Sequence, residues 1–267
     1  MAKRNWLHSA GIVWPLLTEA ARENVKLNYS NIAPSIDTNP LSVGRALDPI
    51  QNYCLENKLP PLTAIVIGKS THKPGHGFIA WDIDDIDAAF DAVFEFNWDG
   101  VQNPYENFGP KDTIRTFARR LIRDPNAGTD VYAQVKVRGV AQDIFRAALL
   151  KAYKSRCAMC ELSFPQALEA AHIITWGKAT PDQRLNPKNG LLLCSSHHRL
   201  FDAGVVTVSE SLRIVVDEQA KTLTRSDRRL LDALIGKKLK LPDDLELWPN
   251  PQWLQERHKL QKWEKLP

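Results

Sequence analysis

Two pairs of metal-type ligands, Cys157-x-x-Cys160 and Cys194-x-x-His197, stand at the two ends of one stretch in the second half of the chain. Zinc takes four soft or borderline ligands in a tetrahedron, and two i/i+3 pairs on tight turns supply them without strain. With four protein ligands the site is closed, so its work is to staple a small module with a thin core. Three further residues, His172, Asn189 and His198, are interleaved with these four. They form an open His/Asn/His set, the kind that leaves a position for water or substrate.

The chain has four cysteines. An even count could mean two disulfides, but Cys54 stands alone in the first half while the other three cluster with histidines. In a reducing compartment a CxxC with a CxxH reads as zinc. The N-terminus MAKRNWLHSAGIVWPLL is weakly basic and then apolar, interrupted by Trp14-Pro15 and followed by the charged stretch Glu19 to Lys26. It reads as the start of a folded helix and not as a signal peptide. No apolar run is long enough to span a bilayer. A cytoplasmic protein is expected.

The strings AAHI around His172 and NGLLLCSSHHRLFD around Asn189 and His198, bracketed by the two knuckles, resemble the HNH family of ββα-metal nucleases. The resemblance covers Val137 to Ala203 strongly. The tail KLKLPDDLELWPNPQWLQERH is a looser match to the end of restriction-type HNH proteins, and Met1 to Asp130 lies outside the resemblance. In many HNH domains the Asn is followed by a strand, a CxxC, and then the catalytic His directly after the second Cys. Aligned on that order, His197 takes the second Cys position in the zinc site and His198 the metal-binding position. The resemblance implies that His172 is a general base, since a neutral imidazole can draw a proton from water at physiological pH. It implies that His198 holds Mg²⁺ or Mn²⁺ against a non-bridging oxygen and the leaving 3′ oxygen. It gives Asn189 the task of shaping the loop and orienting His172 or the metal shell. Products would carry a 5′ phosphate and a 3′ hydroxyl.

The chain departs from the family pattern at one position. Many HNH domains carry a metal-ligating Asp just before the base, and here that residue is Ala171. Two substitutes are visible. Glu169 lies two residues before Ala171, on the same face of a strand. Asp202 lies four residues after His198, so a helix points both at one ion. Asp202 is preferred, because i/i+4 is a common metal arrangement on a helix.

These ligands need elements to position them. Ala141 to Tyr153 patterns as a helix, with Ile144, Phe145, Ala148 and Leu149 on its core face. Leu168 to Ile174 and Gly190 to Cys194 read as strands and Ser196 to Ala203 as a short helix, which together make a ββα unit. Val205 to Asp217 reads as a hairpin, Arg225 to Ile235 as a basic helix, and Gln252 to Lys265 as a charged terminal helix. Trp176, Trp81 and Trp98 are expected to be packing residues.

The loop Asn97 to Pro110 and the break Asp124 to Asp130 flank a basic helix, Thr113 to Arg123. The expected organisation is a targeting domain over 1–98, a linker with this helix over 99–137, and a nuclease domain over 138–267. In the first part, Trp14 to Glu23, Tyr29 to Ile36 and Val43 to Asn57 pattern as helices, the last despite Pro49. A strand at Thr63 to Gly68, a basic loop at Lys69 to Gly77 and a helix at Asp82 to Phe96 follow. That order resembles a winged-helix DNA-binding domain, giving an α+β fold class with a zinc-stapled ββα-metal domain behind it. Its DNA contacts would be Arg45 on the third helix and Lys69, His72, Lys73 and His76 on the wing. In the second part Arg138, Arg146, Lys154, Arg156 and Arg199 are the candidates. Net charge is about −4 over 1–99 and about +8 over the rest, so the basic surplus accompanies the ligand cluster.

A DNA endonuclease of restriction type, reading a sequence or a base modification, is the expectation. The competing one is a zinc-stabilised DNA-binding regulator whose nuclease site has decayed, for which Ala171 speaks. An RNA-directed nuclease lacks any aromatic-rich RNA-binding motif here. Cutting both strands with one site per chain would call for a homodimer, though no interface is legible.

Overall fold

The computed structural model describes residues 4–217, 224–261 and 263. The chain divides into two compact units, Met1–Thr113 with Gln134–Gly139, and Ile114–Ala133 with Val140–Pro267.

In the first unit α1 (Trp6–Arg22) starts two turns earlier than its periodicity predicts, because Asn5 caps it by accepting the backbone N–H groups of Leu7 and His8. Pro15 sits inside this helix. Its ring nitrogen cannot donate to the carbonyl of Gly11, one turn back. The Asn103 amide donates to that carbonyl instead, at 2.7 Å. Gly11 must be glycine, since a Cβ there would lie 2.6 Å from the Tyr105 carbonyl oxygen. Next come β1 (Leu27–Asn28), α2 (Tyr29–Ile32) and α3 (Gly44–Glu56), which runs through Pro49 and buries Ala46, Leu47, Ile50, Gln51 and Cys54. A 3-10 turn at Leu62–Ile65 replaces the first part of the expected strand and leaves β2 (Val66–Ile67), paired parallel to β1. α4 (Ile86–Glu95) closes the set.

The loop after β2 is tied down by side chains. Gln51 donates to the Gly77 carbonyl and accepts from Ile79 N–H, while the Tyr29 hydroxyl accepts from Gly75 N–H. Among the described residues this unit's ladder is the two-residue parallel pair, with no antiparallel hairpin where the wing was expected. These elements do not establish a winged helix.

The second unit opens with α5 (Ile114–Arg123), and α6 (Gly128–Val135) straddles the division in sequence. α7 (Arg138–Ala152) presents Ile144, Phe145, Ala148 and Leu149 to the core. Then follow β3 (Leu168–His172), α8 (Pro181–Arg184), β4 (Gly190–Cys194) and α9 (Ser195–Asp202). β3 and β4 are antiparallel, with Leu168 opposite Cys194 and His172 opposite Gly190. α9 packs on both strands, so the expected ββα unit is present. β4 is buried along its whole length. Gly190 lets α7 approach it closely, since a Cβ there would lie 2.5 Å from Phe145 Cζ and 2.6 Å from Leu149 Cδ1. The hairpin β5 (Val206–Val208) and β6 (Ile214–Val216) precedes α10 (Arg225–Asp232) and α11 (Pro251–Gln261). Part of the expected terminal helix, at 262 and 264–265, lies outside the described residues. No described helix is long and apolar enough to cross a membrane.

Candidate metal and nuclease site

The ligand atoms of Cys157, Cys160, Cys194 and His197 all lie within 4.8 Å of one another. Nδ1 of His197 is 3.4 Å from Cys157 Sγ and 3.3 Å from Cys194 Sγ. A tetrahedral zinc with Zn–S near 2.3 Å needs its sulfurs roughly 3.8 Å apart, so the four groups fit that ion. The first knuckle is a tight turn in which Cys157 N–H reaches Leu162 O and Glu161 N–H reaches Cys157 O, with Glu161 at φ 64°. The second knuckle is the β4–α9 junction. Burial raises all three thiols, but at Cys157 hydrogen bonds from His197 and from the Cys194, Met159 and Cys160 backbone outweigh it and lower the pKa, whereas Cys160 and Cys194 stay raised. A thiolate is the form that binds metal.

His198, the next residue on α9, faces a different set. Its Nδ1 is 2.5 Å from Glu169 Oε2 on β3, and its Nε2 is 3.2 Å from Asp202 Oδ2 one turn along the helix. The hydrogen bond to Asp202, opposed by burial and helped by Glu169, raises the His198 pKa. The same hydrogen bonds, opposed by burial, hold both carboxyls below their usual range. Both acids singled out as substitutes for the missing Asp therefore touch this imidazole. Ala171 is fully buried on the β3 face that Glu169 shares.

His172 ends β3. Its ring stacks on Phe145 of α7 with centroids 4.1 Å apart and meets Trp176 edge-on at 5.8 Å. Nε2 lies 3.0 Å from the Arg184 carbonyl oxygen. A carbonyl only accepts, so Nε2 carries the proton and Nδ1 keeps its lone pair. Burial pushes this imidazole down to about 4, against the pull of that carbonyl. The ring is neutral at physiological pH.

The Asn189 side chain hydrogen-bonds to Ile174 and Gln183, not to either histidine. It is fully buried, and its amide closes the loop between β3 and β4. Oδ1 accepts Ile174 N–H at 2.8 Å, while Nδ2 donates to Ile174 O and to Gln183 O, both at 3.1 Å. Its own carbonyl accepts Ile173 N–H. Since Gln183 precedes Arg184, the amide fixes the segment whose carbonyl holds His172.

Sequence reasoning missed two contributors. The Arg184 carbonyl is a backbone group and has no side-chain signature. Arg257 of α11 is 2% exposed and stacks 3.6 Å over the Phe201 ring. It donates to the Ile173 carbonyl at 2.9 Å, to that of His172 at 3.4 Å, and to that of Phe201 at 2.5 Å. One guanidinium thereby ties the end of β3 to the end of α9. Burial lowers its pKa to about 10, against Asp202. The only sequence hint was a basic residue on the terminal helix.

The candidate DNA contacts fare unevenly. Arg146 is spent on the Leu168 and Pro165 carbonyls, and Lys154 on Asp243. Arg156 and Arg199 are exposed in the second unit, and Arg45, Lys69, Lys73 and Arg138 in the first. Arg45 lies over the Trp6 ring, and Lys73 reaches the Ile83 carbonyl. Trp98 is buried, Trp176 half-buried and Trp81 exposed.

Residues 157–209 match a family model described as HNH endonuclease. A comparison with curated proteins finds no match. Among solved structures, a modification dependent TagI restriction endonuclease aligns at 17% identity and a TM-score of 0.30. The alignment covers 43% of this chain and 36% of that one, so this chain spans about a third of that protein's length. Likeness at that level carries no functional weight.

Proposed function

We propose that this chain, with its HNH endonuclease domain at 157–209, is a DNA endonuclease of restriction type that hydrolyses phosphodiester bonds with one divalent ion and a histidine base. The observation that carries the reading is the paired setting of the two histidines. His172 is neutral, with its proton fixed on Nε2 by the Arg184 carbonyl. His198 sits between two carboxylates on the same ββα unit.

In this reading Nδ1 of His172 takes a proton from the attacking water. The Phe145 stack and the Arg184 carbonyl hold the ring in place, and Asn189 holds the Arg184 segment. Nε2 of His198 and the Asp202 carboxylate hold Mg²⁺ or Mn²⁺. Glu169 keeps the Nδ1 proton of His198, as carboxylates do behind metal-bound imidazoles. When bound, such an ion stabilises charge on the phosphoryl and leaving oxygens. Zinc at Cys157, Cys160, Cys194 and His197 is structural. The first unit selects the target by sequence or by a base modification.

Nicking of paired modified and unmodified plasmids with Mg²⁺ or Mn²⁺ tests this. Wild type should cut at least one substrate and His172→Ala neither. Equal absence of cutting by both proteins on both substrates would sink the enzyme reading in favour of a zinc-stabilised DNA-binding regulator.

A further inference from the structure

The helix α5 carries four arginines and no acid: Ile-Arg-Thr-Phe-Ala-Arg-Arg-Leu-Ile-Arg. Phe117, Ala118 and Leu121 are its buried face. Arg115, Arg119 and Arg123 are exposed and recur at i, i+4 and i+8. They therefore form one stripe with a step of about 6 Å along the helix axis. Arg120 points elsewhere and is engaged by Asp130 at 3.2 Å. The carboxylate next to Arg123 is Asp124, and it is occupied in accepting the Asn126 N–H that starts the following turn. Among the described residues none of the three stripe arginines forms an ion pair.

Helix stability does not account for this pattern. Arginines four apart repel one another, and Arg115 lies in the first turn, where the helix dipole favours an acid. Arg123 alone is well placed for the dipole. A partner that brings negative charge in sequence does account for it. Each strand of DNA presents one charge per roughly 3.4 Å of axis, and planar guanidinium groups suit phosphate oxygens. The helix belongs to the same compact unit as the nuclease site. Resting on the DNA-endonuclease reading above, we infer that Arg115, Arg119 and Arg123 of α5 form a docking stripe for the DNA phosphate backbone.

A built-in control is α10, which has exposed Arg225, Arg228 and Arg229 interleaved with Asp227 and Asp232. Three proteins are compared: wild type, R115Q/R119Q/R123Q, and R225Q/R228Q/R229Q. The two variants lose the same three charges. Binding to a fluorescent duplex is measured by anisotropy in EDTA across a salt series, with nicking by wild type in Mn²⁺ alongside. Each phosphate contact contributes about 0.9 to the slope of log K against log salt. The α5 variant should lose about 2.5 from that slope and bind at least ten-fold more weakly at low salt, with an unchanged melting temperature. The α10 variant should stay near wild type. If wild type binds and nicks DNA but the α5 variant keeps its slope, the stripe is refuted and the endonuclease reading stands. Equal losses in both variants also refute it, because net charge alone then explains the effect. If wild type neither binds nor nicks DNA, both readings fall together.

Discussion

The buried Asn189 amide is the strongest quantitative test of the loop geometry. It makes three side-chain hydrogen bonds, two of them as a donor to the carbonyls of Ile174 and Gln183. Asn189→Ala removes all three at a fully buried position, at about 1 kcal/mol each, and more where the orphaned groups stay dry. The expected loss is about 3 kcal/mol or more. Asn189→Asp preserves the shape but replaces the donor with an oxygen facing two carbonyls. It must ionise there or take up a proton. Protonating an acid of reference pKa ~3.9 costs roughly 4 kcal/mol at pH 7 and roughly 1.5 at pH 5. One donor hydrogen then serves only one carbonyl, adding about 1 kcal/mol. The folded pKa of this acid is raised, so the folded variant binds a proton that the unfolded chain releases. Its stability therefore falls as pH rises from about 4 through the raised value. Relative to wild type at the same pH, Asn189→Asp should be destabilised by about 5 kcal/mol at pH 7 and by about half that at pH 5. Urea unfolding followed by tryptophan fluorescence measures both differences. A penalty that does not change between these pH values, or one below ~1 kcal/mol, would refute the assignment of Nδ2 as a donor to two carbonyls.

Three other outcomes are expected in the same unit. Gly190→Ala keeps an allowed backbone at φ −138° but drives a methyl into Phe145 and Leu149. It should cost about 1–3 kcal/mol by overpacking, read as a lower melting temperature. Cys157→Ser should release zinc and destabilise the domain, whereas His198→Ala should retain zinc and lose nicking. Metal analysis of the purified variants decides this, and zinc loss from His198→Ala would overturn the split between His197 and His198. Arg257→Met leaves the carbonyls of Ile173 and Phe201 without their charged donor and should cost roughly 2–3 kcal/mol by urea unfolding. An unchanged midpoint would count against its role as a brace.

What was legible in the chain was local. The knuckles are i/i+3 pairs, the Gly190–Cys194 strand is a short apolar run, and His198 and Asp202 are one turn apart, so sequence spacing alone carries each. What was illegible depends on partners far along the chain or on the backbone. Arg257 reaches His172 from 85 residues away. The tautomer of His172 is set by a carbonyl, which every residue has. In the first unit the run TAIVIG looks like one strand, yet half of it winds into a 3-10 turn after Pro60-Pro61 and pairs in parallel with a two-residue partner. An apolar run reports burial without reporting which ladder it joins. The flanking turns mark the basic helix at 114–123 as a linker, although the sequence itself carries its charge stripe.

The adjacent pair His197 and His198 links the two sites mechanically. Successive residues on a helix project about 100° apart, so one α9 register sends His197 inward, 3% exposed, to the cysteines and His198 outward to Glu169. Cys194 ends β4 and occupies the N-cap position of α9, so zinc at the proposed site would fix where that helix begins. The register of α9 against β3 then decides whether His198 meets Glu169 at all. On the proposed reading, zinc and the nuclease residues share no ligand, yet the order of events is set by this geometry. Loss of zinc frees the first turn of α9 and should dissolve the His198–Glu169 contact, whereas loss of that contact leaves the four zinc ligands where they are.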